Sequence, residues 1–102
     1  MIVHHIATEQ ITVSTAVKTL TAAKVNTARG DGFYQVVYAD IDVQDNNIYT
    51  TFDGSTDPSA SAGEVWYIGQ KYRAWGRHNL SNLKFLRVSA DAVLEVNYWG
   101  TK

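Results

Sequence analysis

Between residues 48 and 99 the chain alternates strand-forming runs with turn punctuation and offers no convincing helix. Ile48-Tyr49-Thr50-Thr51-Phe52 leads into Asp53-Gly54-Ser55-Thr56-Asp57-Pro58, where Asp, Gly, Ser and Pro each favour chain reversal. Further runs follow over 65–68, 71–75, 83–88 and 92–99. Upstream, residues 33–43 read as the clearest long strand. Phe33, Val37, Ala39, Ile41 and Val43 share one face, and Tyr34, Val36, Tyr38, Asp40 and Asp42 the other. The turn Asp45-Asn46-Asn47 then predicts a hairpin with the strand from Ile48 to Phe52.

The same period of two recurs near both ends. Ala92, Leu94, Val96 and Tyr98 alternate with Glu95 and Asn97, and Ile11 and Val13 with Gln10, Thr12 and Ser14. The window 15–25 is ambiguous: Ala16, Val17, Leu20 and Ala23 would stripe a helix capped by Thr15, but its threonines favour a strand or irregular connection. Eight or nine short strands in 102 residues cannot bury their faces in one flat sheet. The expected fold is all-β, a two-sheet antiparallel β-sandwich of jelly-roll or Ig-like type, with a partly closed β-barrel as the alternative. Residues 1–8 read as an N-terminal arm or edge strand, and 9–102 as a single β-sandwich domain.

Composition narrows the chemistry. Cysteine is absent, so no disulfide staples the fold and no thiolate serves as nucleophile. The start, Met1-Ile2-Val3-His4-His5-Ile6, has neither the basic region nor the apolar run of a signal peptide. No window approaches the length of a membrane span. The net charge of −1 gives no overall pull toward nucleic acid. Its distribution is uneven: residues 1–58 carry seven acids against three bases, and 59–102 three acids against six bases. Either acidic and basic strands pair across a sheet, or the molecule has two oppositely charged faces.

Catalytic and metal patterns are weak. An EF-hand beginning at Asp40 would put Asp45 where glycine is required and Thr51 where glutamate is required. His4 and His5, adjacent on an extended strand, point to opposite faces. No serine occupies a strand-to-helix elbow. The reading is of a protein that is not an enzyme and has no cofactor or metal. Arg29-Gly30-Asp31 and Asn79-Leu80-Ser81 match short motifs that arise by chance.

One surface constellation stands out. Lys71, Arg73, Trp75 and Arg77 recur at every second position, so one strand would line all four on one face. Cations around an exposed tryptophan suit an acidic protein neighbour, a sugar stacked on Trp75, or single-stranded nucleic acid. The plainer reading pairs them with Asp40 and Asp42, leaving Trp75 at a sheet rim.

Gln10-Ile11-Thr12-Val13-Ser14-Thr15-Ala16-Val17 with Leu20-Thr21-Ala22-Ala23, the turn Asp53 to Pro58, and the close from Asn82-Leu83-Lys84-Phe85-Leu86-Arg87-Val88 to Trp99 resemble small virion proteins of tailed bacteriophages. The resemblance spans about residues 9–99. It is one of β-turn punctuation and carries over no catalytic residue. It implies a β-sandwich structural component of the particle, a capsid decoration or cement protein made in the host cytoplasm and bound at the virion surface. The implied partners are the major capsid protein and copies of the chain itself, with no membrane and no nucleic acid. The alternative is a carbohydrate-binding or structural module of a tail fibre or spike. Under the first reading Met1, Ile2, Val3, His4 and His5 belong to an arm that adds to a neighbour. Deleting residues 1–8 would then abolish particle binding and leave the fold intact.

Overall fold

The computed structural model describes residues 2–26 and 35–101. Met1, Arg29-Gly30-Asp31, Phe33 and Tyr34 lie outside the described residues. Among the described residues eight strands follow in chain order: β1 His4–Val13, β2 Lys18–Thr19, β3 Gln35–Gln44, β4 Ile48–Thr51, β5 Glu64–Trp66, β6 Lys71–Trp75, β7 Lys84–Arg87 and β8 Ala92–Thr101. Helix α1, Ala22–Asn26, lies between β2 and β3; α2, Arg77–Asn82, lies between β6 and β7.

The strands form two four-stranded antiparallel sheets, ordered β1-β8-β3-β6 and β2-β7-β4-β5. They do not close into a barrel. First pairs with eighth, second with seventh, third with sixth and fourth with fifth. A doubled ribbon wound in this way is the jelly-roll order, which decides between the two expected sandwich types.

The core lies between the sheets. β1, β3 and β8 send Ile11, Val13, Ala39, Ile41, Val43, Leu94, Val96 and Tyr98 inward. The second sheet answers with Ile48, Trp66 and Phe85. Period-two alternation sets this pattern, and burying each large aliphatic chain contributes about 1.5–3 kcal/mol. Thr50 is the flaw: fully buried, its Oγ1 has no hydrogen-bond partner. An orphaned buried hydroxyl costs about 1–3 kcal/mol. Thr50→Val keeps the branched shape and removes the hydroxyl, so a stabilisation of about 1 kcal/mol is expected in urea unfolding.

Four local expectations are corrected. β3 and β4 do not form a hairpin: β3 is bonded on both sides, by β8 and β6, so the turn through Asp45 carries the chain into the other sheet. A register shift between Val36 and Tyr38 reverses the alternation early in β3, so Val36 joins the core and Val37 does not. The window 15–25 holds the expected strand only as the two-residue β2 and then enters the one-turn helix α1, in which Lys24 and Val25 donate backbone N–H to Thr21 O at 2.9 and 3.1 Å. Finally, α2 interrupts the run of strands. Leu80 is its buried residue, so docking of that side chain, and not propensity, holds the helix.

Candidate functional site

The outward face of the first sheet gathers the chemistry. Alternation sends the residues between the core positions to this side, and cross-strand register lines them up in rows. The first row crosses all four strands: His5 opposite Trp99, Trp99 opposite Tyr38, and Tyr38 opposite Trp75. The second is Thr8, Asn97, Asp40 and Arg73; the third is Gln10, Glu95, Asp42 and Lys71.

The aromatic row is continuous. His5 meets Trp99 edge-on at 5.2 Å between centroids and 76° between planes. Tyr38 lies 6.3 Å from Trp99 at 17°, and 4.7 Å from Trp75 at 44°. The Arg73 guanidinium carbon sits 4.1 Å above the Tyr38 ring and 5.7 Å from that of Trp75. Tyr38 is therefore buried under its neighbours, while Trp75 is 52% exposed. Rings braced by such neighbours lose little freedom when a partner docks on them.

The cations are largely spoken for. Arg73 grips Asp40 with two bonds, Nε to Oδ1 at 2.7 Å and Nη2 to Oδ2 at 3.1 Å. That hydrogen bond holds the Arg73 pKa above its ordinary value. Lys71 approaches Asp42 more loosely, at 3.9 Å. The plainer expectation for these residues is thus realised in the sheet: acidic β3 pairs with basic β6. Lys84–Asp57 at 3.1 Å and Arg87–Asp91 at 2.7 Å neutralise further charge on the surface.

Arg77 corrects the four-residue row. The strand stops at Trp75 and Arg77 opens α2, so only Lys71, Arg73 and Trp75 share the outward face. The amino-terminal segment also differs from a free arm. His4 and His5 already belong to β1, paired with Gly100 and Trp99. Ile2 is exposed and Val3 half-buried, both ahead of the strand. Deleting residues 1–8 would strip the pairs that hold β8 as far as Thr8–Asn97. Such a truncation damages the sheet, so it does not isolate an attachment function.

His5 sits among hydroxyl and amide groups. Its Nε2 lies 2.9 Å from Thr8 Oγ1 and 3.0 Å from Asn97 Oδ1, and Thr8 donates to the same Asn97 oxygen at 2.8 Å. These bonds tie β1 to β8. Among the described residues no group of three or more His, Asp or Glu converges as a metal site.

Tyr38 and Trp99 are the site residues that the Lys71–Arg77 pattern missed. Their signal was parity. Tyr38 has the same phase as Asp40 and Asp42, and Trp99 the same phase as Glu95 and Asn97, so both belong with the polar face. Comparison with protein-family models, with curated proteins and with solved structures finds no match to this chain.

Proposed function

We propose that this chain is a non-enzymatic structural protein of a tailed-phage particle, a decoration or cement protein that docks on the outer capsid shell. The observation that carries this reading is the aromatic row His5–Trp99–Tyr38–Trp75 across the open face of the first sheet. Aromatic and arginine side chains in a pre-ordered cluster are what protein contacts use as anchors. The resemblance noted above supplies the partner, and the jelly-roll order agrees with it at the level of architecture, where viral shell domains recur. Each contact is modest, and many copies on one shell multiply it. Because Arg73 and Lys71 face Asp40 and Asp42, the contact is led by aromatic burial.

The second reading is a glycan-binding module of a tail fibre or spike, favoured by the exposure of Trp75. A sugar would find one well-exposed ring, Trp75, tilted by 44° from the buried Tyr38. That geometry suits the irregular relief of a protein.

Purified chain is mixed with expanded shells of the phage major capsid protein and co-sedimented. Binding is expected, and Trp75→Ala is expected to weaken it by at least about tenfold with the circular dichroism unchanged. Shells that do not retain the wild-type chain, or that retain Trp75→Ala equally, overturn the proposal. Binding to a glycan array with Trp75-dependent signal and no shell binding would establish the second reading instead.

A further inference from the structure

β6 is an edge strand bonded to β3 on one side only, and at the end of its outer side the Trp75 carbonyl accepts Asn79 Nδ2 at 2.9 Å. The bonds at the two ends of its ladder with β3 are Val43 N–H to Gln70 O at 3.1 Å and Gly76 N–H to Val37 O at 2.7 Å. Alternation then turns the backbone groups of Tyr72 and Ala74 toward β3, and those of Lys71 and Arg73 away from it. Beside this edge runs a groove of about 400 Å³, lined by the apolar Phe52, Trp66, Ala74, Trp75 and Leu83 together with Arg73 and Asn79. The groove opens between the two sheets, where β5 and β6 are their edge strands on the same side. Unpaired strand edges recruit other chains.

Charge tells which chain. On the outward side Arg73 spends Nε and Nη2 on Asp40 and keeps Nη1. The Lys71 side chain is 60% exposed. Arg77, just beyond the strand, has no acidic partner among the described residues. A second copy fits poorly. Two β6 strands paired antiparallel about Arg73 would set Arg73 against Arg73, and the outward side of β1 carries His5, Thr8, Gln10 and Thr12, none of them acidic. The strand that β6 already accepts shows the complement: β3 places Ala39 and Ile41 inward, with Asp40 and Asp42 opposite Arg73 and Lys71.

We infer that the free edge of β6 takes up an extended acidic segment of another protein as an added strand, with alternate apolar side chains seated in the groove, alternate carboxylates along Lys71 and Arg73, and Arg77 just beyond the end of the strand. Main-chain bonds supply the affinity and the two side-chain rows supply the selectivity. The interaction needs no capsid shell, so its test is separate from that of the particle reading.

The probe is a labelled synthetic peptide with the sequence of β3, Gln35–Gln44, titrated against the intact protein by fluorescence anisotropy. Saturable binding is expected, weakened about tenfold or more in high salt as the carboxylate contacts are screened. A peptide with Asn at both Asp positions should lose a similar factor. Lys71→Glu combined with Arg77→Glu in the protein should do the same, since both side chains are exposed and the core is untouched. Two further peptides carry N-methyl groups on alternate sets of amides. One set faces β6 and abolishes binding; the other faces solvent and leaves it intact. Absence of saturable binding, equal binding by both N-methylated peptides, or indifference to the charge changes overturns the inference.

Discussion

Gly63→Ala is expected to destabilise the protein by about 3–4 kcal/mol, a fall in Tm of roughly 15 °C or more for a domain of this size. Two effects add. Gly63 has φ +95°, a conformation that costs an L-residue about 1–2 kcal/mol. A Cβ there would also collide with Thr50 O and lie 2.8 Å from Thr51 Cγ2. The first of these is backbone in β4, a strand bonded to both β5 and β7, so it cannot step aside without breaking a ladder; overpacking of this kind typically costs about 1–3 kcal/mol. Gly69→Ala separates the two contributions. Gly69 has φ +83°, and its Cβ would meet nothing within 4 Å, so that variant should show the conformational cost alone. Calorimetry of both variants checks the argument. Equal losses at the two positions would mean that β4 yields to the methyl group.

The close approach at Gly63 also shows where sequence reading stops. The turn from Asp53 to Pro58 could be read from its residues because its forces are local. Asp53 Oδ1 accepts the backbone N–H groups of Ser55 and Thr56 at 3.0 and 2.8 Å, and Oδ2 the Thr56 hydroxyl at 2.6 Å. Those bonds hold the Asp53 carboxyl down at about 2. The core faces of β1 and β8 were legible for the same reason, since parity alone assigns Ile11, Val13, Leu94 and Val96 inward. What could not be read is set by distant partners. The register shift at Val36 depends on how β3 meets β8. The failure of β3 and β4 to pair depends on β6 already holding the other edge of β3. Helix α2 depends on a hole that fits Leu80.

The candidate site divides along the same line. Lys71, Arg73 and Trp75 announced a common face by their spacing, and their acidic counterparts in β3 could be named from charge. That Trp99 and Tyr38 complete a row with them needed the strand order. β8 sits between β1 and β3, a neighbourhood that only the jelly-roll winding creates. A sequence pattern gives the face of a side chain; topology gives its company.

The second large effect concerns Tyr98, fully buried at the inward face of β8. Its hydroxyl donates to Glu9 Oε2, and Glu9 in turn accepts the Thr21 hydroxyl at 2.5 Å and the Thr21 N–H at 3.3 Å. One carboxylate thus ties β1, β8 and the residue ahead of α1 together. Tyr98→Phe leaves the ring in place and deprives the carboxylate of its innermost donor, so a loss of about 1.5–3 kcal/mol is expected, the range for hydrogen bonds to charged groups. Glu9→Gln should cost a comparable amount, and the double variant less than the sum, because both changes break the same bond. Alkaline pH gives a second readout. Burial, and then the bond to Glu9, raise the Tyr98 pKa above its ordinary 10.0. The folded chain keeps a proton that the unfolded chain gives up near that value. The associated stability is whole below pH 10.0 and drains away as pH rises beyond it toward the folded-state pKa. Tyr98→Phe removes that limb, so its stability should fall less steeply than the wild type's above pH 10.0, measured by urea unfolding across the range. Parallel alkaline limbs in the two proteins would show that Tyr98 does not retain its proton in the fold.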